Sequence, residues 1–285
     1  MIEEIKKIIT ENKKNLFRSD FFENDLKVSK FFHGRPETNK KIIFYVSVFD
    51  KPLCIFKIVR VNMYNDIIDR EVAGLSAFPN VSPKLFFHGQ LGGLNYMCEE
   101  VASGVPVGKS QEVDYLVKVL EWHKNLTRVR QVKIDEIIKL FSNVSFDNDK
   151  EFGIVLTELL KRKEESLWLS LGHGDMTYKN IMVRIDKQIT IIDWENFGLR
   201  PIYGIDIIHY LSRMIYTGDF EHDVPSALSH FTKDVEKYEN KLGLGFTQRE
   251  VEDLFLLDWF FEVLQKNNIK KYNEVIPLMQ KIWSL

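Results

Sequence analysis

The sequence has 285 residues, of which 45% are hydrophobic and 28% are charged, and its formal net charge is −2. This composition is typical of a folded protein and not of a disordered one, and the nearly balanced charge gives no indication of a nucleic-acid partner. The length is sufficient for a sizeable core and for two lobes.

Cysteine usage and hydropathy predict a cytoplasmic protein without a membrane span. Cys54 and Cys98 lie in apolar segments without metal-ligand spacing, so both are expected to be buried free thiols. The first residues are charged and amphipathic, which is not the pattern of a secretory signal. No apolar segment approaches the length that a bilayer requires.

The first third of the chain predicts an antiparallel sheet with one packed helix. A helix is expected over residues 2–16, and a second, amphipathic one over residues 63–78. Segments rich in β-branched and aromatic residues predict five strands. These strands cover residues 27–34, 41–50, 52–61, 84–89 and 94–101. Together they form a predicted N-terminal lobe of residues 1–103.

Residues 104–285 have a mostly helical pattern and form the predicted C-terminal lobe. The predicted helices cover residues 113–126, 150–169, 205–216, 223–242, 249–267 and 273–285. Two apolar segments, residues 181–185 and 189–194, flank a polar turn and predict a β-hairpin. A sheet lobe followed by a helical lobe is an α+β arrangement.

Three oxygen-bearing side chains flank this hairpin. Asp175 and Asn180 come before its first strand, and Asp193 comes at the end of its second strand. Closing the hairpin is therefore expected to bring them to one edge. A carboxylate that can receive a proton, with an amide and a second carboxylate to hold a hard cation, is the set that phosphoryl transfer from Mg-ATP requires.

The same residues resemble the motifs of the aminoglycoside phosphotransferase and choline kinase superfamily, which contains small-molecule kinases with a protein-kinase-like fold. The family pattern is His-Gly-Asp, four residues, Asn, and then a strand that ends in Ile-Asp-Trp/Phe-Glu. Here it corresponds to His173-Gly174-Asp175, Asn180 and Ile192-Asp193-Trp194-Glu195. The resemblance implies the two-lobe kinase-like fold and a phosphotransferase that uses ATP and Mg²⁺ and acts on a small alcohol.

The resemblance also implies a role for each matched residue. Asp175 would accept or orient the proton of the acceptor hydroxyl, and Asn180 and Asp193 would hold Mg²⁺. Lys57, on the third strand, would bind the ATP phosphates, with Glu71 of the following helix as its partner.

Three further features complete this implied nucleotide site. The connector NYMCEEVASG would hold the adenine edge through the backbone of Glu99 and Val101. Glu195 is expected either near metal-bound water or as a loop cap. The turn FHGRPETNK contains only Gly34, where kinases have a glycine-rich phosphate loop. Because of this departure, the alternative to an active kinase is a catalytically weak nucleotide-binding pseudokinase or scaffold with the same fold.

Several other residues are expected to be structural. The resemblance implies that Asp206 braces the catalytic loop through its backbone and that His123 supports a helix end. His173 is expected to stabilise its own loop. A helical stripe of aromatic residues is expected in the core. These residues are Phe255, Trp259, Phe260 and Phe261.

The acceptor is not determined by the sequence. Gly174 before Asp175, and the short segment from Asp193 to Asp206, argue against a protein substrate. Acidic residues would favour a cation such as choline or an aminoglycoside, with Trp194 or Trp259 adding cation–π contact. The acidic residues are Glu195, Asp206, Asp219, Glu221, Asp223, Glu252, Asp253, Asp258 and Glu262. A solvated acidic helix face and a neutral sugar acceptor are the open alternatives, and the oligomeric state is not predicted.

Overall fold

The computed structural model divides the chain into two compact units. It describes residues 1–17, 19–31, 40–108, 111–142, 150–215 and 224–284. The first unit comprises Met1–Pro106 and Ile181–Glu195, and the second comprises Val107–Asn180 and Asn196–Leu285. The predicted boundary after residue 103 lies close to this division. The structure differs in grouping the hairpin with the first unit, because a strand of the hairpin pairs with residues Val105–Pro106.

An antiparallel five-stranded sheet is the frame of the first unit. Its strands are β1 (Leu26–Phe31), β2 (Lys41–Val48), β3 (Lys51–Val59), β4 (Leu85–Leu91) and β5 (Leu94–Glu99). Their order in the sheet is β1-β2-β3-β5-β4. Helix α1 (Ile2–Glu11) precedes the sheet, and helix α2 (Asn65–Ala77) connects β3 to β4. The predicted five-stranded sheet with its helix is therefore confirmed.

The core of the first unit comes from the apolar faces of these strands. Phe44 and Phe56 are paired across β2 and β3, and both are buried together with Ile5 and Ile9 of α1. Alternating side chains place these residues on one face of the sheet. Cys54 and Cys98 are buried free thiols, as predicted.

The predicted hairpin is present in the first unit. Strands β9 (Ile181–Val183) and β10 (Ile189–Ile191) pair antiparallel, with Ile181 opposite Ile191. Strand β6 (Val105–Pro106) pairs with β9 and completes a small sheet of order β10-β9-β6. The hairpin therefore fixes the positions of the residues that follow β10.

Helices dominate the second unit, as predicted. They are α3 (Glu112–Lys124), α4 (Ile134–Leu140), α5 (Lys150–Leu160), α6 (Ile205–Ile215), α7 (Val224–Leu242) and α8 (Gln248–Lys281). Strands β7 (Gln131–Lys133) and β8 (Ser166–Trp168) form a separate antiparallel pair. Among the described residues, no helix combines the length and the apolar character that crossing a bilayer would need.

Three predicted helix boundaries were wrong. The first helix ends at Glu11 and not at residue 16. The helix predicted over residues 150–169 ends at Leu160, because Ser166–Trp168 pairs with β7. The two helices predicted over residues 249–267 and 273–285 are one helix, α8, which contains Pro277 in its interior.

Candidate active site

Two lysines and four carboxylates form a charge cluster in the first unit. Strands β2 and β3, helix α2, the end of β5 and the segment after β10 each contribute to it. Its members are Lys41, Lys57, Glu71, Glu99, Asp193 and Glu195. We call this set the carboxylate cluster.

Lys57 is buried between two of these carboxylates. Its Nζ donates to Glu71 and lies 2.6 Å from Oε1 of Glu99. Burial alone would lower the pKa of Lys57, but the attraction of Glu71 and then of Glu99 outweighs it, so the pKa is raised. With 6% of its surface exposed, Lys57 is not an outward-pointing strand lysine. The pairing of Lys57 with Glu71 that the resemblance implied is therefore present.

The predicted adenine contacts lie where β5 ends. Glu99 is the last residue of β5, and Val101 follows two residues later. The Glu99 side chain is engaged by Lys57, so only its backbone could serve a nucleotide base. The predicted phosphate turn, with Gly34, lies outside the described residues.

Lys41 is a member of the cluster that sequence reasoning missed. Its Nζ lies 2.7 Å from Oδ1 of Asp193, and 3.0 Å from both Oε2 of Glu71 and Oε2 of Glu195. Burial opposes this charge, but Asp193 and then Glu195 hold the pKa of Lys41 well above its ordinary value. The register pairs Ile43 with Lys57, and alternation puts Lys41 on the same face of the sheet as Ile43. That register was the missing signal.

Asp193 is held in an uncommon backbone conformation. Its φ is 65°, in the left-handed region, where a residue other than glycine costs about 1–3 kcal/mol and Asp is among the better tolerated. Trp194 packs the segment down: its ring stacks on Phe78, and its Nε1 donates to the Ile191 carbonyl at 2.9 Å. The backbone carbonyl of Glu195 accepts from Arg70 at 2.7 Å. These contacts fix the Asp193 carboxylate.

The carboxylate cluster fits a divalent cation. Its oxygen donors are the type that Mg²⁺ prefers, and its four carboxylates outnumber the two lysines of the cluster. Asp193 and Glu195 are the accessible members, with side chains 41% and 32% exposed. Asp193 was the predicted metal ligand, and Glu195 contacts the same lysine, Lys41, so the two carboxylates are neighbours in the cluster.

The predicted proton acceptor, Asp175, lies in a braced loop of the second unit. Asp206, in the first turn of α6, accepts from the backbone N–H groups of His173 at 2.7 Å and Gly174 at 2.8 Å. This confirms the predicted brace. Gly174 has φ of 82°, and a Cβ there would collide with the carbonyl oxygen of Asn196. The loop therefore requires glycine at this position.

Asp175 and Asn180 are brought together within the second unit. Nδ2 of Asn180 donates to the backbone carbonyl of Asp175 at 2.8 Å. The Asp175 N–H donates to Nδ1 of His173 at 3.3 Å, which agrees with the predicted loop-stabilising role of His173. The Asp175 side chain is 39% exposed. Asp193 belongs to the first unit.

A buried charge network, also missed from the sequence, supports Asp175. His209 of α6 places Nε2 at 3.0 Å from Oδ1 of Asp175 and Nδ1 at 2.9 Å from Oδ1 of Asp258. Arg200 donates to Asp258 at 2.7 Å and to Glu262 at 2.6 Å. Asp258 and Glu262 lie four residues apart on α8, so they share one helix face. Only the packing of α6 against α8 reveals their link to His209.

His209, Asp258 and Glu262 also satisfy the spacing of a metal site. Their potential ligand atoms all lie within 4.8 Å of one another. The guanidinium of Arg200 contacts both carboxylates, and their attraction raises its pKa despite burial. The cation at these carboxylates is therefore supplied by the protein itself.

Six of the acidic residues expected to attract a cationic acceptor are described by the structure, and each of these six has a partner within the protein. Arg162 donates to Asp253 at 2.7 Å and to Glu252 at 2.8 Å. Four other acidic residues of this set have partners that were described above: Glu195, Asp206, Asp258 and Glu262. The remaining three lie outside the described residues: Asp219, Glu221 and Asp223. The described members of the set therefore give no support to a cationic acceptor.

The predicted aromatic contacts to a cationic acceptor are also not supported. Trp194 is fully buried, and Trp259 is 2% exposed and donates to Glu151 at 2.6 Å. Phe255, Phe260 and Phe261 are buried with Trp259, which confirms the predicted core stripe. His123 is buried and its Nε2 accepts from the Gly204 N–H at 2.9 Å, a structural role as predicted.

The fold is shared with small-molecule kinases of known structure. A choline kinase from Cryptosporidium parvum Iowa II superposes with a TM-score of 0.56 at 18% identity, over 99% of each chain. A thermostable mutant of aminoglycoside phosphotransferase APH(4)-Ia, in a ternary complex with ADP and hygromycin B, gives 0.58 at 12% identity, over 97% of this chain and 95% of that one. A candidate fructosamine-3-kinase from Haemophilus somnus 129PT superposes with a TM-score of 0.55 at 14% identity, over 96% of this chain and 94% of that one.

Sequence comparison alone finds no relative. No model of a known protein family matches the chain, and no curated protein matches it significantly. The kinase-like fold that the motif resemblance implied is nevertheless confirmed by these structures.

Proposed function

We propose that this chain, which has the fold of the aminoglycoside phosphotransferases and choline kinases, is a kinase that uses ATP and Mg²⁺ to phosphorylate a hydroxyl of a small molecule. The observation that carries the proposal is the buried Lys57–Glu71 ion pair in one cluster with Asp193. A buried lysine held by carboxylates, beside a partly exposed carboxylate, is suited to a polyanion with its metal. The ADP complex of a similar structure supports nucleotide use.

In this proposal the first unit binds the nucleotide. Lys57, braced by Glu71, contacts the phosphates, and the backbone of Glu99 and Val101 holds the adenine edge. Asp193 and Asn180 are the proposed Mg²⁺ ligands, as the resemblance implies. When bound, Mg²⁺ supplies positive charge to the phosphate oxygens and fixes their geometry.

Asp175 performs the acceptor-side chemistry. Its carboxylate aligns the acceptor hydroxyl for in-line attack and accepts the hydroxyl proton as the oxygen bonds to the γ-phosphorus and the bond to ADP breaks. The loop braced by Asp206 and Asn180 keeps this carboxylate in place before the acceptor arrives. Catalysis then comes mainly from positioning and charge stabilisation.

The acceptor in this proposal is a small alcohol of unassigned class. Amino alcohols, aminoglycosides and sugars are retained together, because the described acidic residues have internal partners. The structurally similar proteins act on different alcohols, as their names indicate. A protein acceptor is not proposed.

An acceptor panel tests the proposal. ADP formation from Mg-ATP is measured with choline, ethanolamine, hygromycin B, other aminoglycosides and common sugars, against the hydrolysis rate without acceptor. We expect at least one class to raise ADP formation above that background and to yield a phosphorylated product by mass spectrometry. ATP binding without acceptor-dependent ADP formation across the panel would instead favour the nucleotide-binding scaffold.

A further inference from the structure

We propose that His209 is a positioning residue: anchored by Asp258, it orients the carboxylate of Asp175 toward the acceptor hydroxyl. The inference rests on the proposed phosphotransfer, in which Asp175 handles that hydroxyl. His209 is 1% exposed, so it does not itself touch an acceptor. Its effect must pass through Asp175.

The geometry places a carboxylate at each nitrogen of the ring. Nε2 lies 3.0 Å from Oδ1 of Asp175, and Nδ1 lies 2.9 Å from Oδ1 of Asp258 and 3.1 Å from Nη1 of Arg200. A neutral imidazole carries one N–H and can donate to only one of them, whereas the imidazolium donates to both. The two carboxylates favour the charged ring, which donates to both of them and makes both hydrogen bonds charge-assisted, whereas the Arg200 guanidinium, which can only donate, opposes it.

The surrounding charges favour the imidazolium. Burial of the ring and repulsion from Arg200 oppose the positive charge. Attraction to Asp258 and hydrogen bonds to Asp175 and Asp258 outweigh both effects, so the pKa of His209 is raised to about 9. The groups that face His209 are Asp175 from the loop before β9, Arg200 from the segment before α6, Asp258 and Glu262 from α8, and Asp206 on α6 itself. Carboxylates are the majority among them.

The network extends away from Asp175 to a fixed anchor. Arg200 binds Asp258 and Glu262, and the Ser212 hydroxyl, 2.9 Å from the backbone carbonyl of His209, lies 3.3 Å from Oδ2 of Asp258. Asp258 therefore holds the Nδ1 side of the ring, and the ring holds Oδ1 of Asp175. This arrangement assigns the second carboxylate oxygen of Asp175 to the acceptor hydroxyl.

Two amide variants separate positioning from structural support. In His209→Gln, the side-chain amide can reach the place of Nε2 and donate to Asp175. In His209→Asn, the shorter side-chain amide can reach only the place of Nδ1, near Asp258, and not Asp175. We expect kcat to fall about 10- to 100-fold in His209→Asn and clearly less in His209→Gln, with the Kd for Mg-ATP unchanged in both. Equal losses, or a larger loss in His209→Gln, would overturn the proposal.

The pH profile provides a second readout. Because the pKa of His209 is about 9, the charge-assisted bond to Asp175 is present below that pH and is lost above it. Wild-type kcat should therefore decline above about pH 9, and His209→Gln should lack this decline. A wild-type profile identical to that of His209→Gln would contradict the role.

A titration of the imidazole by ¹⁵N NMR tests the contact without activity. We expect the His209 ring to remain doubly protonated to about pH 9 in the wild type, and its pKa to fall by about one unit in Asp175→Asn. An ordinary pKa in the wild type, or no change in Asp175→Asn, would overturn the proposal. If no acceptor is phosphorylated, the proposed function fails, and this titration still decides whether His209 holds Asp175.

Discussion

At Lys41, one ammonium group meets three carboxylates, and we expect this residue to control how strongly the carboxylate cluster attracts a free divalent cation. Lys41 contacts Glu71, Asp193 and Glu195. We expect Lys41→Met to bind Mn²⁺ without nucleotide on the order of tenfold more tightly, because the unneutralised carboxylates then repel one another until a cation is bound. Electron paramagnetic resonance of free Mn²⁺ measures the affinity.

The control for this experiment is Lys27→Met. It makes the same change in net charge at an exposed lysine of β1, which pairs only with Asp50 in the described contacts of its side chain. This variant should leave the Mn²⁺ affinity unchanged. Equal or weaker Mn²⁺ binding by Lys41→Met would show that Lys41 does not compete for the cluster.

Some site residues could be predicted from the sequence because their signals are local. The succession of a strand with a lysine and a helix with a glutamate matches the family pattern, so the resemblance implied the Lys57–Glu71 pair, and the structure contains it. Lys41 and His209 gave no such signal. Lys41 depends on the register of β2 against β3, and His209 depends on packing between α6 and α8.

At the scale of elements, the loop that carries Asp175 depends on a glycine with no steric alternative. Gly174→Ala would place a Cβ against the carbonyl of Asn196 at a positive φ. We expect this variant to lose about 1–3 kcal/mol of unfolding free energy and to lose turnover, because the loop must shift and carry Asp175 with it. Urea unfolding and kcat measure the two effects.

Gly153→Ala is the matched substitution. Gly153 lies in α5 with open space around its Cβ position, so alanine there should stabilise the protein by about 0.4–1 kcal/mol and leave turnover unchanged. If Gly174→Ala behaved like Gly153→Ala, the loop would not depend on that backbone conformation.

Element types were predicted better than element ends. Periodicity identified the five-stranded sheet, α2 and the hairpin because each has a continuous apolar pattern. The end of α5 was missed because β8 is stabilised by pairing with β7, a contact distant in sequence. The continuity of α8 across Pro277 was missed because proline usually ends or kinks a helix.

At the scale of the whole molecule, the sequence predicted the fold class and two lobes, and the fold is shared with choline and aminoglycoside kinases. The assignment of the hairpin to the first unit was not foreseen, because it depends on pairing between β6 and β9. The identity of the acceptor was the feature that could least be predicted from the sequence. The acidic residues of the predicted C-terminal lobe suggested a cationic acceptor. Those of them that the structure describes have partners within the protein.

The most direct test of the proposed role of Asp175 compares Asp175→Asn with the wild type. The measurement is the transfer of the γ-phosphate of ATP to the acceptor found in the panel. We expect kcat to fall by about 10²–10⁴-fold, because the variant lacks the proton acceptor. The Kd for Mg-ATP should be retained, because the proposed nucleotide and Mg²⁺ contacts do not include the Asp175 carboxylate, and Asn180 bonds only to the backbone of Asp175 in the contact given above. Phosphate transfer by Asp175→Asn at the wild-type rate would show that Asp175 is not the proton acceptor.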